Sequence, residues 1–378
     1  MLKLVKRAIL RAIRAAGYML VPLPLANPPR ALGAVSAASR DSASHHVPRD
    51  NRNVPDKPRS ASENFAEVEA LLKLISPWSG IVPDGHVVDF LGILTPGKFL
   101  WNKTGPFPEH HESTSLPTLQ THGEGWFEIA DWLASAHDAT GRYVVISVGA
   151  AFGYQLVGAW KALQAINPMP SLLVAVEPVA ENCNWARSLM TLNGIDPDDH
   201  WIIQAAVGQD HEPILFPVGA PGSGLTDCIG TNSPESRLAY FELLRSRGYS
   251  ERVLENMLLH NSTGITQDLG KGYSGEIKIV SSVTLRDLLL PFDRVDLLEA
   301  DIQTESIVVT PFMDLISRKV RRIHLGTHYR ETHEQLRALL SDAGWDISFD
   351  YLPNSHYDTE RGPVDLNDGI ISARNPRL

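Results

Sequence analysis

Tyr143-Val144-Val145-Ile146-Ser147-Val148-Gly149-Ala150-Ala151-Phe152-Gly153 decides the fold. Its first half is a run of β-branched residues with no polar alternation, the pattern of a strand buried on both faces of a parallel sheet. The run enters a glycine turn, and Tyr154 to Ala165 continues as a helix-forming stretch. A second apolar run, Leu172-Leu173-Val174-Ala175-Val176, ends in Glu177-Pro178. A strand, glycine loop, helix and acid-tipped second strand make the first half of a nucleotide-binding α/β unit.

The loop also bears on the ligand. Gly149 and Gly153 lack a Cβ, so a ligand can lie against the backbone there. Glu177 is placed to accept the hydroxyls of a ribose. Dinucleotide sites use G-x-G-x-x-G to bring amides onto a pyrophosphate. Here Ala151 stands where the middle glycine would be. That favours a ligand with a ribose and no phosphate, of which S-adenosyl-L-methionine is the common one, over a nicotinamide dinucleotide.

The rest of the C-terminal half extends the pattern. Val-Gly-Ala-x-x-Gly at 148–153 is followed by Val-Glu-Pro-x-x-Glu-Asn at 176–182, Asn193-Gly194 and Ala206-Val207-Gly208. Val283-Thr284-Leu285-Arg286-Asp287-Leu288-Leu289 resembles a "vTLDDll" segment, and Val295 to Glu305 resembles "vDllKiDiEGaE". Arg322-Ile323-His324-Leu325-Gly326-Thr327-His328 resembles "iliEtH", and Asp368-Gly369-Ile370-Ile371 a closing strand. In this order the segments resemble the FkbM family of S-adenosyl-L-methionine-dependent methyltransferases, over about residues 143–378. The chain departs from the pattern at Ser147, where the family has Asp, at Gln303-Thr304 for Glu-Gly, and at Gly326 for Glu.

The resemblance implies a Rossmann-like class I methyltransferase fold, an α/β architecture with a mostly parallel sheet and an antiparallel last strand. It implies methyl transfer to a hydroxyl of a sugar or another polyhydroxylated acceptor. Cofactor contacts are expected at Ser147, Gly149, Ala150, Gly153, Glu177 and Pro178. Asp301, at the end of the fourth strand, and His328, just past the fifth, are expected to face the reacting end of the cofactor, as strand ends do in open α/β sheets. His328 suits a general base near neutrality. Asp301 suits orienting that histidine, holding the acceptor, or binding a divalent cation with Glu305. A second reading keeps the fold without catalysis, as a binding or scaffold module.

Charge is uneven along the chain. Residues 1–60 hold 11 Lys/Arg and 3 Asp/Glu, a balance of +8; the whole chain is −10, which leaves −18 for residues 61–378. So acidic a body argues against a nucleic-acid substrate, which calls for a basic face. Leu2, Val5, Ile9, Ile13, Ala16 and Leu20 recur at helical spacing among Lys3, Lys6, Arg7, Arg11 and Arg14. Residues 1–20 therefore read as a basic amphipathic helix suited to the surface of an anionic membrane, at the cytoplasmic face. Residues 21–62 read as a flexible linker rich in Pro, Ser and Ala.

Residues 63–142 read as a cap, with a helix over Glu63–Leu74, a strand at His86–Phe90, a polar loop over Thr104–Gly125 and a helix over Trp126–Ala136. His110, His111, Glu112 and His122 of that loop read as solvated residues before metal ligands. Trp201–Val207 is expected as the third strand, and residues 219–280 as an insertion that could form a lid. His324 reads as a satisfied core residue. Cys183 and Cys228 have neither disulfide-framework nor metal-type spacing. No apolar run reaches membrane-spanning length.

Overall fold

In the computed structural model the described residues are 61–100, 108–211, 214–219, 273–302 and 305–378. The expected basic helix at 1–20, nearly all of the linker at 21–62, most of the insertion at 219–280 and the Gln303-Thr304 pair lie outside them.

The first two α-helices of the described residues are α1 (Ala61–Leu72) and α2 (Gly125–Asp138). A βαβ unit follows: β1 (Tyr143–Val148), α3 (Tyr154–Ile166), β2 (Ser171–Val176). Then come α4 (Ala180–Leu192), β3 (Trp201–Ile203), β4 (Val295–Ala300), β5 (Val320–Thr327), α5 (Arg330–Asp342), β6 (Asp346–Tyr351) and β7 (Gly369–Arg374). The seven strands form one sheet in the order β6-β7-β5-β4-β1-β2-β3. Strands β1 to β5 pair in parallel, whereas β7 runs antiparallel to both β5 and β6. This is the Rossmann-like arrangement with an antiparallel closing strand that the sequence implies.

Helices cover both faces, so β1 and β4 are buried at every position and show no polar alternation. Val145, Leu173 and Leu297 pack in one core cluster with Trp132 of α2 and Leu156 of α3. Val144, Ile146 and Leu298 pack in the other with Leu336 and Leu340 of α5. Each such side chain contributes about 1.5–3 kcal/mol through removal from water. A Cβ on Gly158 of α3 would lie 2.4 Å from the Trp132 ring, so α2 and α3 approach as closely as glycine permits. The helical layer thus begins at Gly125: α2 packs on β4, β5 and α3 and belongs to the sheet.

Two contacts tie the N-terminal segment to distant parts of the chain. Phe65 of α1 meets Phe349 of β6 edge-on, with ring centroids 5.4 Å apart. Beside it the Asn64 amide donates to the Ser348 carbonyl at 2.7 Å. Asn193, just past α4, accepts from the Leu94 N–H and donates to the Leu94 carbonyl, both at 2.9 Å. One side chain there replaces a rung of β-ladder.

Three elements differ from expectation. The third strand stops at Ile203, because the Ala205 N–H turns back to the Ile203 carbonyl at 3.1 Å. Ala206–Gly208 pairs instead, in parallel, with Ser282–Thr284. The supposed polar loop over Thr104–Gly125 contains a strand, His110–Ser113, paired antiparallel with Ser79–Val82. A hairpin of Ser355–Thr359 and Gly362–Leu366, not expected from the sequence, precedes β7. Among the described residues no helix is long and apolar enough to cross a membrane.

Candidate functional site

The turn after β1 forms because two glycines adopt left-handed backbone, Gly149 at φ +79° and Gly153 at φ +81°. Ala151 joins them at φ +45°. The Gly149 and Ala150 N–H groups both donate to the Val176 carbonyl, at 3.0 and 3.1 Å. Those amides are spent inside the protein and form no cradle for a pyrophosphate. Ala150 is 1% exposed and packs in the core. Gly153 caps α3, and a Cβ there would stand 3.1 Å from Ala186 of α4.

Glu177 ends β2 beside this turn. One carboxylate oxygen accepts from the Ala151 N–H at 3.0 Å, the other from the Val179 N–H at 2.8 Å and the Asn182 amide at 3.2 Å. Burial raises its pKa more strongly than these donors lower it, to about 7. Oε1 is fully used by its two donors, and Oε2, which accepts only from Ala151, keeps a lone pair for a ribose hydroxyl. Pro178 beside it is buried. Ser147 does not reach the cleft: it is 2% exposed, and its hydroxyl donates to Glu299 of β4. Gly149 and Glu177 thus meet at the turn as expected, while Ser147 and Ala150 lie beneath it.

Asp301, Glu305 and His328 come together across the ends of β4 and β5. His328 Nε2 stands 3.2 Å from Asp301 Oδ1, and its Nδ1 stands 3.2 Å from Glu305 Oε1. Asp368, before β7, is 3.7 Å from the same Nε2. Burial alone would favour the neutral ring. The carboxylates of Asp301 and Glu305 outweigh it and hold the His328 pKa well above its ordinary value. The base role expected of His328 requires the neutral ring, and this geometry keeps the imidazolium.

Asp301 is the more open member, its side chain 47% exposed against 13% for His328. Its surroundings push its pKa up, but the hydrogen bond and charge of His328 outweigh that and hold the carboxyl below its usual range. Two glycines make its seat. A Cβ on Gly149 would lie 2.2 Å from the Asp301 carbonyl oxygen, and one on Gly326 3.0 Å from its Cγ. Gly326, a departure from the resembled pattern, is the space into which Asp301 turns. Asp301, Glu305 and His328 each offer a donor atom within 4.8 Å of the others, a set able to hold a divalent cation. Among the described residues no other such set exists. His110 pairs with Glu112 at 3.2 Å, while His122 pairs with Asp365 at 3.2 Å.

The sequence reading missed four acids here. Glu124, Glu128 and Asp131 share one face of α2 by their spacing of four and three residues. Burial, then the charges of Glu128, Asp368 and Asp301, push Glu124 up to about 8. Burial followed by Glu128 pushes Glu299 up to about 8 as well. The α2 periodicity was visible in the sequence; the helix's place over the strand ends was not. His324 is satisfied as expected, its Nδ1 2.7 Å from Asp131 Oδ2, which raises its pKa to about 9 against the opposing effect of burial.

No family model matches the chain. A protein of Jannaschia sp. (strain CCS1), described as "Putative methyltransferase", is 25% identical over 299 residues, 78% of this chain and 94% of that one. Among solved structures, the methyltransferase FkbM from Methylobacillus flagellatus KT covers 82% of this chain and 59% of its own, at 10% identity and a TM-score of 0.34. The SAM-dependent methyltransferase from Agrobacterium tumefaciens covers 71% and 67%, at 9% identity and a TM-score of 0.33. Superpositions this loose carry no inference, and the fold rests on the strand order described above.

Proposed function

We propose that the chain is an S-adenosyl-L-methionine-dependent methyltransferase acting on a hydroxyl of a sugar or another polyhydroxylated acceptor. The observation that carries the reading is the placement of Glu177 against a glycine turn, with the Asp301–His328–Glu305 set at the ends of the adjoining strands. The relative from Jannaschia sp. supports methyl transfer.

Bound there, the cofactor supplies a methyl group on a sulfonium. Glu177 takes a ribose hydroxyl on Oε2, and Gly149 lets the Asp301 backbone close against the turn. Asp301, held ionised by His328, orients the acceptor hydroxyl and accepts its hydrogen. His328 braces Asp301 from one nitrogen and is itself fixed by Glu305 from the other. A polyol suits a site lined by carboxylates, which accept hydrogen bonds from several hydroxyls at once.

Transfer of labelled methyl to a panel of glycans and polyols, with Asp301→Ala and His328→Ala beside the wild type, tests this reading. Near-normal rates for both variants reject the assignment. Cofactor binding without transfer to any acceptor favours a non-catalytic binding module instead. The basic stretch Met1–Leu20 suits peripheral contact with an anionic membrane, and unchanged liposome sedimentation after deletion of residues 1–25 rejects that part.

A further inference from the structure

One edge of the sheet is basic in a body that is not. Strands β1 to β5 run parallel and β7 runs against them, so the starts of β1, β4 and β5 and the end of β7 share an edge, the one opposite Asp301 and His328. Arg142 precedes β1, Arg294 precedes β4 and Lys319 precedes β5. Arg321 and Arg322 open β5, and Arg374, the register partner of Arg322, ends β7. Asn375 donates to the Ser317 and Val320 carbonyls, at 2.8 and 3.1 Å, which brings Arg377 after β7 and Arg318 before β5 to the same edge.

The acids paired with these cations or adjoining them are fewer. Asp138 stands 2.8 Å from Arg322 and Glu67 4.0 Å from it, Asp346 is the register partner of Arg374, and Asp293 precedes Arg294. Fully buried Asp296 serves two guanidiniums: its Oδ1 is 2.9 Å from Arg294 Nε and 3.5 Å from Arg321 Nη1. Eight cations against five acids leave +3 at this edge, where residues 61–378 together carry −18. Arg142, Arg318 and Arg377 are exposed, and among the described residues no carboxylate pairs with any of the three. Leu290, 52% exposed, stands among them, for Lys319 Nζ donates to its carbonyl at 3.4 Å and to that of Phe292.

We propose that this edge docks on an anionic lipid surface. Cations meet the headgroup phosphates, and an open leucine among them enters the boundary of the acyl region. A nucleic acid would use the cations and leave Leu290 in water. The six residues of β4 separate this edge from the acidic cleft by about 20 Å. That exceeds the ~8 Å reach of a surface charge at physiological salt, so the membrane attracts the edge without repelling the cleft. Docked this way, the cleft opens away from the bilayer and takes its acceptor from solution. The inference depends neither on methyl transfer nor on residues 1–20.

Sedimentation of the full chain with mixed phosphatidylglycerol–phosphatidylcholine vesicles, beside phosphatidylcholine vesicles alone, tests this. The wild type should bind the neutral vesicles far more weakly. Arg142→Gln, Arg318→Gln and Arg377→Gln combined should weaken binding to the anionic vesicles about a hundredfold, since each cation near such a surface is worth about fivefold. Leu290→Ser alone should weaken it several-fold. All four positions are exposed, so the melting temperature should stay at the wild-type value. The same variants in a chain lacking residues 1–25 separate this edge from the basic stretch: the shortened chain should still bind, and the triple variant should abolish what remains. Binding that survives the triple variant in both backgrounds, or that vanishes with residues 1–25 alone, overturns the proposal. So does duplex DNA held by the wild type and lost by the triple variant while vesicle binding is unchanged, a result that gives the edge to a nucleic acid. None of these readouts involves methyl transfer, so that reading stands or falls separately.

Discussion

Replacing Glu177 by glutamine reports on the cofactor cleft most directly. The carboxylate is 3% exposed and titrates at about 7. Ribose hydroxyls donate to the ionised form, so below that pH binding must first remove a proton. The ionised fraction is about one tenth at pH 6 and about nine tenths at pH 8. Affinity for 5′-methylthioadenosine should therefore rise about tenfold over that range, or ~1.4 kcal/mol. Glu177→Gln should flatten the profile. It should also weaken binding at pH 8 by about 1.5–3 kcal/mol, the worth of hydrogen bonds to a charged group. In the empty protein the linkage runs the other way. The folded pKa of Glu177 lies above its ordinary 4.5, so its contribution to stability is full below about pH 4.5 and is lost as pH rises through about 7. That rise corresponds to about 3 kcal/mol, so the wild type should lose stability relative to Glu177→Gln between pH 5 and 8. Calorimetric titrations and melts across this range supply both readings. A wild type whose affinity is flat with pH, or a variant that keeps the slope, would refute the assignment of this carboxylate to the ribose.

Three further outcomes follow from the geometry. Gly326→Ala places a Cβ 3.0 Å from Asp301 Cγ, so methyl transfer should fall while cofactor affinity and melting temperature stay near wild type. Gly158→Ala drives a Cβ to 2.4 Å from the Trp132 ring and should destabilise the protein by about 1–3 kcal/mol, seen as a lower denaturation midpoint. His328 spends both ring nitrogens on carboxylates, so EDTA should leave cofactor affinity and transfer unchanged. A loss reversed by magnesium or manganese would instead make Asp301, Glu305 and His328 a cation site.

Much of the sheet was legible because its strands are buried on both faces. Apolar runs such as Val144–Ile146 and Leu172–Val176 admit few other readings. Pairing partners were less so, because they depend on residues far apart: nothing in Trp201–Val207 says that its second half will leave β3 for Ser282–Thr284. Asp301, Glu305 and His328 could be named from order and topology. Their protonation could not, since it depends on two carboxylates flanking one imidazole. From the sequence Ser147 reads as a cofactor contact, because a single strand does not reveal its neighbour. Only the register shows the acid that stands beside it at Glu299.

The helix nearest the start of the described chain rests on Trp126 of α2, and its seat is completed only when almost everything else has been made. Asn64 bonds a carbonyl 284 residues away, and Phe65 packs on Phe349 of β6. During synthesis α1 leaves the ribosome long before that strand exists, and its apolar stripe of Phe65, Val68, Leu71 and Leu72 stays partly uncovered until then. Loss of the last 40 or so residues through a premature stop codon would therefore strand this early helix as well as shorten the sheet, and the exposed stripe would mark the nascent product for chaperones.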